Sequence, residues 1–309
     1  MSSNSTTVDS SMELKNILVA LHDRESMGSA MRKAARLEHF TGANITVVQT
    51  CWDVVSEEPT QHFPQEEIDT IASRMKEAEL NNLSAELARY SERVAELNAE
   101  ILWSKHHDDA VARFAIQSGS DLIVAPRHDR GGVKRLLLPE ELKLAARAHA
   151  PLLLTSASTW REPTNVLVAL DAGDRQHAAL NSLLIEWGRT LAETLGGELH
   201  LVAASPPPSS SAPNQTLEEF QREAEARRMD ALRALADAHP HDYGSLQVKT
   251  GDVCDVIDEV ASACEVDIVV MGTAARTGLK RLFIGNSAES VLSQLTEIDI
   301  LTVPDSQQS

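Results

Sequence analysis

Hydrophobic and polar positions follow the same order twice along this chain. One copy begins NILVALHDRESMGSAMRKAARLEHFTGANITVVQT at Asn16; the other begins NVLVALDAGDRQHAALNSLLIEWGRTLAETLGGELHLVAAS at Asn165. Each opens on a short unbroken apolar run. Apolar residues then recur at helical spacing, a glycine interrupts them, and a second apolar run follows. The downstream halves also match, since DAVARFAIQSGSDLIVAPRHDRGGVKRLLL runs parallel to DVIDEVASACEVDIVVMGTAARTGLKRLFI. A unit of about 150 residues is therefore written twice.

Within each unit the elements read β-α-β-α-β-α-β-α-β. In the second copy the expected strands are Val166–Leu170, Glu198–Ala203, Ser245–Thr250, Asp267–Met271 and Asp299–Val303. The runs Ile17–Leu21 and Val166–Leu170 are apolar without alternation, which suits strands covered by helices on both faces. In TLEEFQREAEARRMDALRALADA, the apolar set Leu217, Phe220, Ala224, Leu232 and Leu235 predicts a helix face. Strands alternating with helices imply a parallel sheet wound on both faces, because right-handed crossovers return the chain to one sheet. The fold class is α/β, with two tandem doubly wound parallel five-stranded sheets of the Rossmann-like type. Residues 1–12 read as a polar, disordered tail, 13–158 as the first domain and 163–306 as the second. The boundary falls in SASTWREPTN, and SPPPSSSAPNQT reads as a flexible loop.

Composition narrows the function classes. Of the 309 residues, 42% are hydrophobic, enough to build two cores, but only 4% are aromatic, so those cores rest on Leu, Val, Ile and Ala. A formal charge of -18, from 46 acids against 28 bases, repels phosphodiester backbones and anionic headgroups. Broad nucleic-acid binding and membrane insertion are therefore not expected. The N-terminus MSSNSTTVDSS has neither a basic start nor an apolar core, so a cytoplasmic location is expected. Cys51, Cys254 and Cys264 cannot all pair. Cys254 and Cys264 would sit about 80° apart around one helix, so buried reduced thiols are expected.

The segment MGTAARTGLKRLFIGNSAES, Met271 to Ser290, carries the densest chemistry. It follows an apolar strand run, and its glycines let a backbone approach a ligand closely. Residues after Gly285 open a helix, where free N–H groups favour an anion. Asn286 and Ser287 either cap that helix or touch a phosphate. The segment is neither a Walker A loop, which needs Gly-Lys-Ser/Thr, nor the early-strand dinucleotide fingerprint. Ligands of open α/β sheets settle at the carboxyl ends of strands, where Asp171 and Gly272 both belong.

VDIVVMGTAARTGLKRLFIGNSAESVL, with the openings NILVALHD and NVLVALDA, resembles the universal stress protein family over nearly all of residues 13–304, as two tandem units. That family's signature, Gly-x2-Gly-x9-Gly-Ser/Thr, holds the phosphates of ATP in its nucleotide-binding members. Carried over by position, its outer glycines are Gly272 and Gly285. Ala275 replaces the middle glycine and Asn286 the hydroxyl residue. The resemblance implies that Asp171, beside Ala169 and Leu170, meets the adenosine. Ala204 would lie under the adenine, with Met271 and Ser287 completing the lining. A methyl at Ala275, if positive φ is required there, costs about 1–2 kcal/mol and weakens affinity roughly ten- to thirtyfold. Weak binding of ATP or AMP with Mg²⁺ in the second domain is the implied cofactor. Single-domain members pair through their last strands, so the two units are expected to form an internal pseudo-dimer, with room for a homodimer of the whole chain.

The first copy departs further. His22 stands for Asp171, and Pro126, Asp129 and Pro139 stand at the signature positions, so no nucleotide is expected there. The cations Arg130, Lys134 and Arg135 persist opposite Arg276, Lys280 and Arg281, which fits either a structural or partner-facing role or a phosphate contact. KHHDD (Lys105–Asp109) and HPHD (His239–Asp242) read as solvated polar boundaries rather than metal sites. Trp160 and Trp187 read as packed against neighbours. No Gly-x-Ser-x-Gly motif is present, and no base is positioned for ATP hydrolysis, so the chain reads as a binding or regulatory protein and not an enzyme. The rival expectation is a scaffold holding an apolar small molecule or a protein partner in a cavity between the domains, without nucleotide.

Overall fold

The computed structural model describes residues 12–24, 26–52, 65–127, 139–173, 175–205, 214–273 and 286–305. The N-terminal half runs β1 (Asn16–Leu21), α1 (Met27–Thr41), β2 (Asn44–Cys51), α2 (Gln65–Leu87), β3 (Leu97–Trp103), α3 (His107–Ser118), β4 (Leu122–Pro126), α4 (Pro139–Arg147) and β5 (Leu152–Thr155). The C-terminal half repeats that order with β6 (Thr164–Ala169), α5 (Ala178–Leu195), β7 (Gly196–Ser205), α6 (Asn214–Ala238), β8 (Tyr243–Thr250), α7 (Val253–Ala263), β9 (Val266–Gly272), α8 (Asn286–Gln294) and β10 (Asp299–Val303). The strand expectations hold to within a few residues at each end.

All ten strands form one sheet in the order β3-β2-β1-β4-β5-β10-β9-β6-β7-β8. Each half is parallel throughout. The halves meet where β5 pairs antiparallel with β10, with Leu154 opposite Ile300 and Leu152 opposite Thr302. Two expected five-stranded sheets thus merge through their last strands into an internal pseudo-dimer.

Period-two alternation sorts the strand residues between two helical layers. Ile17, Val19 and Leu21 join a core built with α1, α2, α5 and α6, whereas Leu18 and Ala20 join the core under α3, α4, α7 and α8. Both faces are covered, which is why these runs carry no polar residue. Helices α1 and α5 each stop at a glycine with positive φ, Gly42 at 69° and Gly196 at 70°. A β-carbon would be strained there, so the glycine turn of each unit is a left-handed cap leading directly into β2 or β7.

Along α6 the expected face is only partly right. Leu232 is buried and Leu235 partly so, but Phe220 is 63% exposed. Its helical turn lies too near the amino end of α6 to reach the sheet. The Leu217 side chain, the tail through residue 11 and most of the proline- and serine-rich loop fall outside the described residues.

Candidate functional site

Because β6 lies between β9 and β7, three parallel strands bring their carboxyl ends side by side at the switch point of the C-terminal half. Ala169 ends β6. Leu170 extends the ladder by one residue, its N–H donating to Val202 O at 2.9 Å, and is buried. At Asp171 the chain leaves the sheet. Asn181 of α5, only 3% exposed, grips that backbone from both sides. Its Nδ2 donates to Asp171 O at 2.9 Å, and its Oδ1 accepts from the Asp171 N–H at 3.3 Å. The Asp171 carboxylate remains exposed at the rim, with Oδ2 3.3 Å from His177 Nδ1.

On the neighbouring ends, Ala204 is half-buried and Met271 is buried. Gly272 has a packing reason: a β-carbon there would stand 2.7 Å from Leu180 Cδ2 of α5. A side chain there would therefore push the Leu180 side chain aside, so the position is close-packed but not closed to other residues. Asn286 begins α8 and Ser287 is exposed in its first turn, while Ala288 and Val291 anchor that helix in the second core. The structure so gathers Ala169, Leu170, Asp171, Ala204, Met271 and Gly272 at one rim. Ala275, Gly285, the Asn286 side chain, and Arg276, Lys280 and Arg281 lie outside the described residues.

Sequence reasoning missed Arg228. From α6, its Nη1 donates to Ser205 Oγ at 3.0 Å at the end of β7. A β-carbon at Gly173 would lie 3.6 Å from its Nε, so the guanidinium also closes against the loop after Asp171. The signal was there in the helix phase: Arg228 precedes the buried Leu232 by four residues and so shares the face toward the sheet.

The equivalent N-terminal rim is built differently. His22 follows β1 and meets His107 edge-on, ring centroids 5.3 Å apart. His107 is itself buried, its Nδ1 2.8 Å from Thr50 Oγ1. Asp108 is buried too, with Oδ2 2.7 Å from Arg147 Nε of α4. Lys105 and His106 are exposed, as a solvated boundary would have them, but the burial of His107 and Asp108 corrects that part of the KHHDD reading. Helix α3 starts at His107, so its first turn is tucked against the sheet, and Arg147 compensates the buried carboxylate. Pro126 ends β4 and is buried; Asp129, Arg130, Lys134, Arg135 and the Pro139 side chain lie outside the described residues. Among the described residues no three His, Cys, Asp or Glu side chains gather as a metal would require.

Cys254 is no nucleophile. Burial, with Asp252, Asp255 and Asp258 nearby, pushes Cys254 up to about 11, so it stays protonated at neutral pH. Only Cys254 is fully buried; Cys51 and Cys264 are partly exposed, which corrects the expectation of three buried thiols.

The seam between the halves is filled by side chains. Lys33 of α1 places Nζ 2.8 Å from the Asp299 carboxylate of β10 and donates to Ser156 O at 2.8 Å. Trp160 Nε1 donates to Asp299 Oδ2 at 2.9 Å, and the N–H of Ser156 donates to Oδ1 at 2.7 Å. Both Trp160 and Trp187 are buried, as expected.

Comparison with known proteins matches this architecture. The universal stress protein family model matches residues 13–156 and again 163–304. A universal stress protein E homolog of Haemophilus influenzae is 29% identical over 297 residues, covering 92% of this chain and 96% of that protein. Universal stress protein E of Escherichia coli K12 is 26% identical over 308 residues, with 96% of each covered. Among solved structures, a functionally unknown protein from Pseudomonas aeruginosa PAO1 superposes with a TM-score of 0.71 at 23% identity, covering 95% of this chain and 94% of its own. A universal stress protein from Archaeoglobus fulgidus gives 0.65 at 14% identity, covering 94% and 98%. With both halves matched and the full span shared, the chain belongs to the universal stress protein family, as a tandem two-domain member similar to universal stress protein E.

Proposed function

We propose that the C-terminal rim binds ATP or AMP weakly, and that the protein acts in the cytoplasm as a stress-response regulatory protein rather than an enzyme. The reading is carried by the Asp171 carboxylate, exposed at the switch point on a backbone that Asn181 holds with two hydrogen bonds. A carboxylate fixed there accepts the two hydroxyls of a ribose. Ala204 and Met271 flank it with small and apolar surface for an adenine. Arg228, held beside Ser205, closes the same rim on its β7 side. The start of α8 adds backbone N–H groups, where Asn286 stands in place of the signature's Ser/Thr and Ser287 follows it. Gly272 adds little, because its close approach to Leu180 gives a packing reason for a small residue there. Mg²⁺ would be carried in by the nucleotide phosphates.

Titration calorimetry with ATP and Mg²⁺ tests this. A weak saturable heat is expected, and Asp171→Ala should lower the affinity about tenfold by leaving the ribose hydroxyls unpaired. Absence of heat and of any thermal shift at millimolar nucleotide removes nucleotide binding from the account.

A further inference from the structure

Arg127 is the first residue after β4, and its backbone still follows the sheet: its N–H donates to Thr155 O of β5 at 2.8 Å. The guanidinium leaves the N-terminal half altogether. Nη1 donates to Leu295 O at 2.6 Å and to Leu292 O at 3.4 Å, and Nη2 donates to Ile298 O. Leu292 lies in the last turn of α8, and Leu295 and Ile298 follow it on the way to β10. Among the described residues the acceptors of this guanidinium are all carbonyl oxygens, and its Nε is buried without a partner.

The last carbonyls of a helix have no partner within it, and a cation there also meets the negative end of the helix dipole. Arg127 supplies donors and charge to α8 from the other half of the chain. Burial works against that charge, Asp299, Glu141 and Glu297 favour it, and an arginine stays a cation.

The repeat shows that this clamp runs one way. Thr273 stands after β9 as Arg127 stands after β4, and its N–H likewise donates to Val303 O of β10, at 3.2 Å. Its side chain is only a short hydroxyl. Helix α4, the counterpart of α8, is instead tied within its own half, through Arg147 to Asp108 of α3.

Helix α8 has nine residues, Asn286–Gln294. A helix this short is not stable by itself in water, so its order depends on its packing and its ends. Ala288, Val291 and Leu292 seat it in the second core. Its first turn is the phosphate end of the proposed nucleotide site, whereas Asp171, Ala204 and Met271 approach the nucleoside from other elements. Loosening α8 therefore reaches the phosphates and leaves the nucleoside contacts alone.

We propose that Arg127 is a positioning residue of the C-terminal site: it holds α8 from across the seam and thereby sets how tightly that site takes a phosphate tail. The N-terminal half so acts on the ligand affinity of the C-terminal half. This role rests on the nucleotide reading above.

ATP with Mg²⁺ and adenosine, titrated separately into the full-length protein by calorimetry, test it. Arg127→Met should weaken ATP at least about threefold and leave adenosine unchanged, which also shows that the rim of the variant is folded. Arg127→Lys keeps one charge at the helix end and should recover part of the ATP affinity. Hydrogen exchange of the unliganded proteins should be faster at the α8 amides of Arg127→Met, with α5 unchanged. A parent protein that binds neither ligand overturns the nucleotide reading and this role with it. A parent that binds ATP, with an Arg127→Met variant that keeps the ATP affinity, loses ATP and adenosine alike, or exchanges α8 at the parental rate, overturns the role of Arg127 alone.

Discussion

His200 shows how one buried side chain sets a response to acid. It sits on β7, 4% exposed, with Nδ1 3.0 Å from Ser245 Oγ and its ring against Gly244. Its Nε2 has no hydrogen-bond partner; Glu198 Oε2, at 3.6 Å, is too far and too exposed to compensate. Burial therefore pulls the imidazole below its usual value of 6.5, with Glu198 opposing weakly. The unfolded chain then binds a proton that the folded chain refuses, between 6.5 and the lower folded value. Stability is fully present above pH 6.5 and falls as the pH drops through that window. Urea unfolding at pH 7.5 and 5.5 should show the parent losing more stability than His200→Gln. Equal losses would show that His200 is not the group responsible. Nothing in the sequence marked this histidine, because its neighbours Leu199 and Leu201 read simply as strand. Asp171 and Gly272 were legible because an end-of-strand position and a motif spacing are written in sequence. The grip of Asn181 and the reach of Arg228 are products of helix phase and packing, which no motif records.

Elements were the most legible level, because helix and strand periods survive without knowledge of partners. The unbroken runs at β1 and β6 announced strands covered on both sides, and the structure covers them. What the pattern left out is how closely α5 approaches its sheet. Gly188 faces β6 so tightly that a β-carbon would overlap Val168 Cγ2 and stand 3.0 Å from Leu199 Cδ1. In the sequence this glycine reads as a weak point in the middle of a helix. In the structure it lets α5 pack closely on β6, and the same helix carries Asn181 and Leu180 to the rim at Asp171 and Gly272. Gly188→Ala would raise intrinsic helix propensity by about 1 kcal/mol. The overlap should outweigh that gain, giving a net loss on the order of 1–2 kcal/mol in chemical unfolding. Trimming the opposing strand in the double variant Gly188→Ala with Val168→Ala should recover stability relative to Val168→Ala alone. A stabilised single Gly188→Ala variant would show that α5 has room to spare. Failure at Phe220 has the same origin: helical spacing predicts a face but not where along its length a helix leaves the sheet.

The whole molecule depends on a seam that the repeat predicted only in outline. Two copies of a unit whose last strand ends at a free edge would expose β5 and β10 separately, and unpaired edges invite uncontrolled association. Pairing them within one chain removes both edges. The short register from Ile300–Leu154 to Thr302–Leu152 is a small contact for two domains of this size. Asp299 extends it. The carboxylate is 0% exposed and accepts from Lys33, Ser156 and Trp160, so β10, α1 and the connection between the halves converge on one anion. Burial pulls the Lys33 ammonium below its usual value, and the Asp299 charge pushes back, so each ion is tolerable only because the other is present. Asp299→Ala leaves that lysine buried without its partner and should cost about 3–5 kcal/mol in chemical unfolding, with the two halves beginning to unfold separately. Replacing both ions, with Lys33→Met and Asp299→Leu together, should cost much less than Asp299→Ala, because no unpaired charge is left behind. The pseudo-symmetry was legible because the sequence repeats, but this lock was not, because it joins Lys33 of one half to Asp299 of the other, far apart in sequence. A single Asp299→Ala variant that unfolds in one transition at the parental midpoint would mean that the strand pairing alone holds the halves together.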